Sequence, residues 1–441
     1  MRRAARFVTM PVNMTPESLR QRRARIAAAL PLENALLLIG AGFPVPLPEG
    51  SDQAYPFRSH AEYFHLTGAE CAGGVLAFDP RDGASAGWRS FVPLVTEAER
   101  VWEGRTQVAG TPLADLEPWL AARRGRPIAM LGARVAHPGC DEEISLRVRE
   151  ALTHARRPKD DHEIDAIRRA AAATAPGYAK LREVLRPGVT ERALQIELEA
   201  EFFRQGADRT GYGSIVGTGS NSAILHFEPS ARAVQAGDFV LVDAGAEVGR
   251  YVADVTRTYV AGQPTAFQRD LYQVVLQAEE RAIARCVVGA EWKAVHLAAA
   301  EDLVAGLVQM GVMHGKPASL VEQEAHTLFF PHGLGHMVGL GVRDGSGRAP
   351  GRVKDPRLSL RTLRMDLPLA ADYVLTVEPG LYFIPALLND PARRARFSDC
   401  VNWPLVDQHL HLGGVRIEDD VLINSSGAPE ILTRAIPKRL E

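Results

Sequence analysis

The sequence predicts an α/β domain over residues 1–156 followed by an α+β domain over residues 157–441. Three observations support that division. At 441 residues the chain exceeds what one ordinary hydrophobic core fills. Its first third alternates short β-prone runs with helical stretches. The remainder twice sets helices ahead of paired strands, the arrangement of an α+β architecture.

In order along the chain, a Thr15-x-x-Ser18 opening starts a helix that leads into an apolar run at residues 35–40. Further strand-like runs fall at 74–78, 90–94 and 127–132, with turn punctuation at Asp79-Pro80 and Asp82-Gly83. The charged, proline-bearing Arg156-Arg157-Pro158-Lys159 marks the domain boundary. Beyond it a helix over 161–173 carries Ile164, Ile167 and Ala171 on one face, with Asp160 or Asp161 as its cap. Helical patterns recur at 191–205, 267–285 and 295–310. Residues 238–260 read as a strand, a turn at Val248-Gly249 and a second strand, and strands at 373–382 and 413–423 close the chain. The repeated order is compatible with an internal duplication.

The composition, 46% hydrophobic and 24% charged, is that of a soluble globular protein. A formal net charge of -2 argues against nucleic acid or an anionic membrane as partner. Cys71, Cys140, Cys286 and Cys400 lie far apart and form no CxxC pair, which predicts reduced thiols in a cytoplasmic protein. Arg2, Arg3 and Arg6 precede no apolar segment of the kind a signal peptide needs.

The chemistry concentrates in four segments. Within 238–260, Asp243 and Asp254 each sit in an apolar, β-prone run. A turn centred between Val248 and Gly249 would set them opposite each other. Two buried carboxylates at that distance repel, and a divalent cation removes the conflict. As an isolated hairpin, one aspartate could equally face solvent while the other caps a turn. PHGLGHMVG, holding His332 and His336, lacks the glutamate of HExxH, so a zincin is excluded. Glu378 in TVEPGLYF and Glu418 in GGVRIEDDV add two carboxylates in strand-like context. Taken singly, these histidines and glutamates suit a packed core or a surface. Together, four carboxylates and one imidazole suit hard or borderline divalent ions, and two ions balance their charge.

VDAGAEVGRYVADVTRT, HGLGH, TVEPGLYF and GGVRIEDDV, in this order, resemble the M24 pita-bread metallopeptidases, in the branch of prolidase and aminopeptidase P. The resemblance is carried weakly into the N-terminal domain by YPFRSHAEYFHLTG. It implies a pita-bread C-terminal domain with Asp243, Asp254, His336, Glu378 and Glu418 as ligands of two divalent ions. Manganese is the expected metal, with zinc or cobalt as alternatives. It further implies His226 near the substrate carbonyl, His332 lining the pocket, Glu378 shuttling a proton, Tyr212 supporting a ligand aspartate and Arg416 holding carboxylates. One position departs from the family: GVRD places Arg343 where a histidine is usual. An arginine cannot shuttle protons at ordinary pH, though it can bind a carbonyl or a carboxylate.

The implied activity is hydrolysis of Xaa-Pro peptides. LSLRTLR resembles a prolidase segment whose arginine grips the terminal carboxylate of proline, and the stretch from Tyr382 to Gly414, with FIPALLNDP and VNW, resembles the long insertion of bacterial prolidases. Motif position favours Arg361 for that role, and the gap to Glu378 favours Arg364. A Xaa-Pro dipeptidase is therefore the expectation, a Xaa-Pro aminopeptidase acting on longer peptides the alternative, and a non-catalytic pita-bread binding protein a remote one. The resemblance also implies a homodimer in which Asp52 reaches the partner's pocket to meet the substrate's α-ammonium. The plain alternative for Asp52 is a polar turn.

Overall fold

A computed structural model describes residues 14–48, 50, 53–135, 137 and 139–440. The chain forms two compact units, Asn13–Arg156 and Arg157–Glu441. In the first, a five-stranded mixed sheet runs in the order Thr111–Pro112, Trp88–Val92, Val75–Phe78, Leu36–Gly40, Ile128–Gly132. Leu36–Gly40 is buried throughout because both faces of the sheet are covered. Leu37 and Ile39 pack with Ile26, Val148 and Leu152 from the helices Pro16–Ala29 and Glu142–Ala155. Leu36 and Leu38 point the other way, onto Leu116, Trp119 and Leu120. The first helix starts as expected, with the Thr15 hydroxyl accepting from the Ser18 N–H at 3.1 Å.

The second unit packs helix pairs on strand pairs twice. Asp161–Val184 and Glu191–Arg204 contribute Tyr178, Leu181, Leu198 and Phe202 to a core shared with Val240 and Val242 of the strand Phe239–Asp243. Ala266–Ala284 and Trp292–Gln309 cover Leu375, Val377, Val415 and Val421 in the same manner. Asp160 is the cap of the helix that follows it, in a reciprocal capping box with Glu163. That helix runs to Val184, through Pro176 and well past the expected end. Tyr178 and Leu181 continue its buried stripe, and that burial outweighs the proline's lost hydrogen bond.

The hairpin differs from its expected register. Its turn centres on Gly249 and Arg250, at φ 58° and 77°, the left-handed pair of a tight β-turn. Val248 pairs with Tyr251 and Asp243 with Thr256, so Asp254 lies two residues short of standing opposite Asp243. A two-residue offset keeps both carboxylates on one face, because side chains alternate with period two.

Candidate metal centre

The strands that carry the carboxylates are interrupted where the carboxylates sit. Asp243 ends Phe239–Asp243, and Asp254 lies between Tyr251–Val252 and Thr256–Val260. Glu378 separates Val374–Val377 from Gly380–Tyr382, and Glu418 separates Gly414–Arg416 from Asp419–Leu422. A break in the ladder frees a side chain to turn off the pleat and into a common space. The interruptions meet directly: Thr256 bridges Glu418, whose N–H donates to the Thr256 carbonyl at 3.1 Å.

His336 reaches the same space on an irregular segment laid against Val374–Val377. The Thr376 N–H donates to the His336 carbonyl and the Glu378 N–H to the Leu334 carbonyl, each at 2.8 Å. Gly335 permits this approach, since a Cβ there would lie 2.0 Å from the Thr376 carbonyl oxygen.

Asp254, His336 and Glu418 are all buried and offer three ligand atoms within 4.8 Å of one another. His336 Nδ1 lies 3.1 Å from the Met337 carbonyl, which can only accept, so Nδ1 carries the hydrogen and Nε2 faces Asp254 Oδ2 at 3.4 Å. That tautomer presents the Nε2 lone pair to a metal. Asp243 and Glu378 line the same cavity, of about 730 Å³, together with Tyr212, His226, His332, Arg343 and Arg416.

The electrostatics match a cation site. Burial raises the carboxyl groups of Asp243 and Glu418 above their ordinary range and pushes Glu378 up to about 7. Burial opposes the charge on His336, yet its contact with Asp254 raises it overall. Four buried carboxylates around one imidazole form an oxygen-rich set with more negative charge than Arg416, which pairs with Asp243, can offset. The donor chemistry and the geometry both fit divalent ions.

A polar scaffold fixes the candidate ligands. Tyr212 donates to Asp243 Oδ1 at 2.7 Å, and Arg416 donates to Asp243 Oδ2 at 2.5 Å and Thr256 Oγ1 at 2.9 Å. Thr256 in turn donates to Glu418 Oε2 at 2.6 Å. Arg416 also donates to the Tyr382 hydroxyl at 3.0 Å, and that hydroxyl donates to His332 Nε2 at 2.9 Å. Because His332 Nδ1 lies 2.9 Å from the Gly333 carbonyl, both ring nitrogens of His332 are engaged. Burial and Arg416 push this imidazole down to about 3, so it stays neutral.

Thr256, Tyr382 and Asp420 were not singled out from the sequence. Asp420 Oδ2 accepts the Asp254 N–H at 3.0 Å and braces that ligand. All three stand inside the quoted motifs, two to four residues from a candidate ligand, and that proximity was the available signal.

Two expected residues fall elsewhere. Arg361 does not line this cavity but an adjoining one of about 200 Å³, whereas Arg364 lines both. Its four-residue helix, Leu358–Arg361, buries Ser359 and Leu360 and turns Arg361 outward. Asp52 lies outside the described residues.

Comparison with known proteins agrees with this geometry. Residues 165–425 match the model of metallopeptidase family M24, and residues 19–110 match that of the aminopeptidase P N-terminal domain. A "Probable Xaa-Pro aminopeptidase" of Aspergillus fumigatus is 31% identical, over 92% of this chain and 90% of its own length. Another, from Fusarium vanettenii, is 30% identical over 88% and 86%. Among solved structures, zinc-substituted aminopeptidase P of Escherichia coli in complex with product aligns with a TM-score of 0.78 at 27% identity, covering 97% of each chain. Pseudomonas aeruginosa aminopeptidase PepP aligns with the same TM-score and coverage at 26% identity.

These relatives overturn the dipeptidase expectation, which rested on the segment around Arg361 and on the stretch from Tyr382 to Gly414. The relatives are Xaa-Pro aminopeptidases, and the arginine meant to read a dipeptide's end does not line the metal cavity. The chain is a metallopeptidase with an aminopeptidase P N-terminal domain ahead of a pita-bread catalytic domain, and a divalent-metal hydrolase by descent. It belongs to metallopeptidase family M24.

Proposed function

We propose that this protein is a Xaa-Pro aminopeptidase, removing the first residue from peptides whose second residue is proline. The observation that carries the reading is the buried Asp254–His336–Glu418 cluster in the wall of a cavity of about 730 Å³, inside the size range of ligand pockets. The aminopeptidase names of its relatives supply the substrate class.

In this reading Asp243, Asp254, His336, Glu378 and Glu418 hold two divalent ions, with manganese the metal suited to so oxygen-rich a set. When bound, such ions polarise the scissile carbonyl and acidify a water. Glu378, on the cavity wall, accepts a proton on a carboxylate oxygen and delivers it to the proline nitrogen as the bond breaks. His226, on the cavity wall, donates a hydrogen bond to the carbonyl oxygen as charge develops there. Tyr212 and Arg416 hold Asp243 in place. His332, with both nitrogens engaged, shapes the pocket and does not transfer protons. The four cysteines are free thiols, which supports a reducing, cytoplasmic setting. Exposed Phe43, Val45, Leu94 and Trp102 on the N-terminal unit support a homodimer, to be tested by sedimentation.

The deciding experiment compares Ala-Pro-Ala with Ala-Pro in the presence of Mn²⁺. Release of free alanine should be faster from the tripeptide. Efficient hydrolysis of the dipeptide with the tripeptide untouched would reject the reading.

A further inference from the structure

The second cavity differs in charge from its neighbour. Five cationic side chains line it: Lys293, Arg348, Lys354, Arg361 and Arg364. Only two carboxylates do, and both are already committed. Asp355 pairs with Arg357 at 3.0 Å and Lys293 at 3.6 Å, and Asp366 pairs with Arg352 at 2.8 Å. Among the described residues, Arg348, Lys354, Arg361 and Arg364 make no ion pair, so the cavity carries uncompensated positive charge. Arg343, on the wall of the metal cavity, likewise has no ion pair among the described residues. Arg416 is the contrast, since Asp243 neutralises it. The two cavities adjoin, since Thr362 and Arg364 line both. A peptide at the acidic metal cluster therefore has a basic compartment beside it.

The chemistry of an aminopeptidase substrate decides which end enters. On the amino side of the scissile bond there is one residue, and it carries an α-ammonium that a basic compartment repels. Only the portion that follows the proline can occupy the second cavity. We propose that this cavity receives a carboxylate carried downstream of the proline, so that the enzyme prefers Xaa-Pro peptides with an acidic leaving portion. The inference rests on the aminopeptidase reading and adds a substrate class to it. Guanidinium groups suit a carboxylate because their paired N–H donors match its two oxygens. The residues are partly solvated, so the preference is moderate and sensitive to salt.

Such a carboxylate can come from a side chain or from the peptide's own end, and four substrates separate these sources. Ala-Pro-Ala-Glu-amide is compared with Ala-Pro-Ala-Gln-amide, and Ala-Pro-Ala-Ala with its amide. At least one acidic member of a pair should exceed its neutral partner about three- to tenfold in kcat/KM, mainly through KM, and lose that advantage in about 0.5 M salt. A gain in the first pair alone assigns the site to acidic side chains. In the second pair alone, it assigns it to the terminal carboxylate. The double variant K354E/R361E should bring the acid-to-neutral ratio to one or below, and a ratio taken within one enzyme preparation is insensitive to a loss of folded protein. Equal kcat/KM across both pairs, with all four peptides cleaved, overturns the inference and leaves the aminopeptidase reading intact. No cleavage of any of them, by an enzyme that hydrolyses Ala-Pro, overturns both.

Discussion

Asp254 shows how one residue joins backbone geometry to chemistry. It occupies the gap between two short strands, its N–H is held by Asp420, and its carboxylate faces His336 and Glu418. Asp254→Asn keeps the shape and removes the charge. Bound metal measured by elemental analysis should fall below one ion per chain, and peptidase activity should drop by at least about two orders of magnitude. Glu378 makes a second expectation, in pH. Its carboxyl is pushed up to about 7 from an ordinary 4.5, so between those values the folded, metal-free protein holds a proton that the unfolded chain has released. Metal-free stability therefore falls as pH rises through that window. A divalent ion must displace the proton at the lower end and need not at the upper end. The gain in melting temperature on adding Mn²⁺ to chelator-treated protein should be larger at about pH 7.5 than at about pH 5. An equal gain at both would show that no proton on Glu378 competes with the metal in that window.

At the scale of elements, the helix Glu191–Arg204 sets the segment that bears His226. Glu191, in its first turn and fully buried, accepts hydrogen bonds from the Thr218 N–H and hydroxyl, the Asn221 amide, and the Ser230 N–H and hydroxyl. Five donors from both ends of the segment 218–230 converge on one carboxylate and fix the path that places His226 on the cavity wall. Glu191→Ala would leave these donors unmatched and cost about 3 kcal/mol or more. It should lower kcat while the protein that remains folded keeps its full metal content, because no metal ligand lies on that segment. Loss of metal together with activity would show that the knot supports the ligands instead. The helix was legible from its apolar spacing. The knot was not, because Glu191 looks like any acidic residue in a first turn, and its partners lie 27 to 39 positions away.

Across the whole catalytic unit, four ionisable groups from distant positions close behind the candidate ligands, Arg257, Glu279 and Asp419 buried and Lys438 partly so. Arg257 pairs with Asp419 at 2.7 Å and donates to the Glu418 carbonyl at 2.6 Å. Lys438 reaches Glu279 at 2.7 Å and Asp419 at 2.9 Å. Two cations balance two carboxylates, and removal of one strands a buried charge. Lys438→Met should destabilise the protein by about 3–5 kcal/mol, read as a shift in the denaturant midpoint, and Lys438→Arg should recover much of that loss. Equal stability of all three proteins would show that the cluster is solvated in solution. The amino-acid sequence by itself determined the two-domain order, most helices and strands, the metal-ligand candidates and the family. Those signals are short-range: apolar spacing, a cap, a glycine beside a histidine, a carboxylate in an apolar run. Only the tertiary structure decided the hairpin register, which a left-handed pair at Gly249 and Arg250 shifts by two residues. It alone decided that Arg364 faces the metals' cavity while Arg361 faces the next one. It alone joined Asp254 to Asp420, and Arg257 and Lys438 to Asp419. Which of several arginines meets a substrate depends on the packing of residues far apart in the chain, and no local pattern encodes that choice.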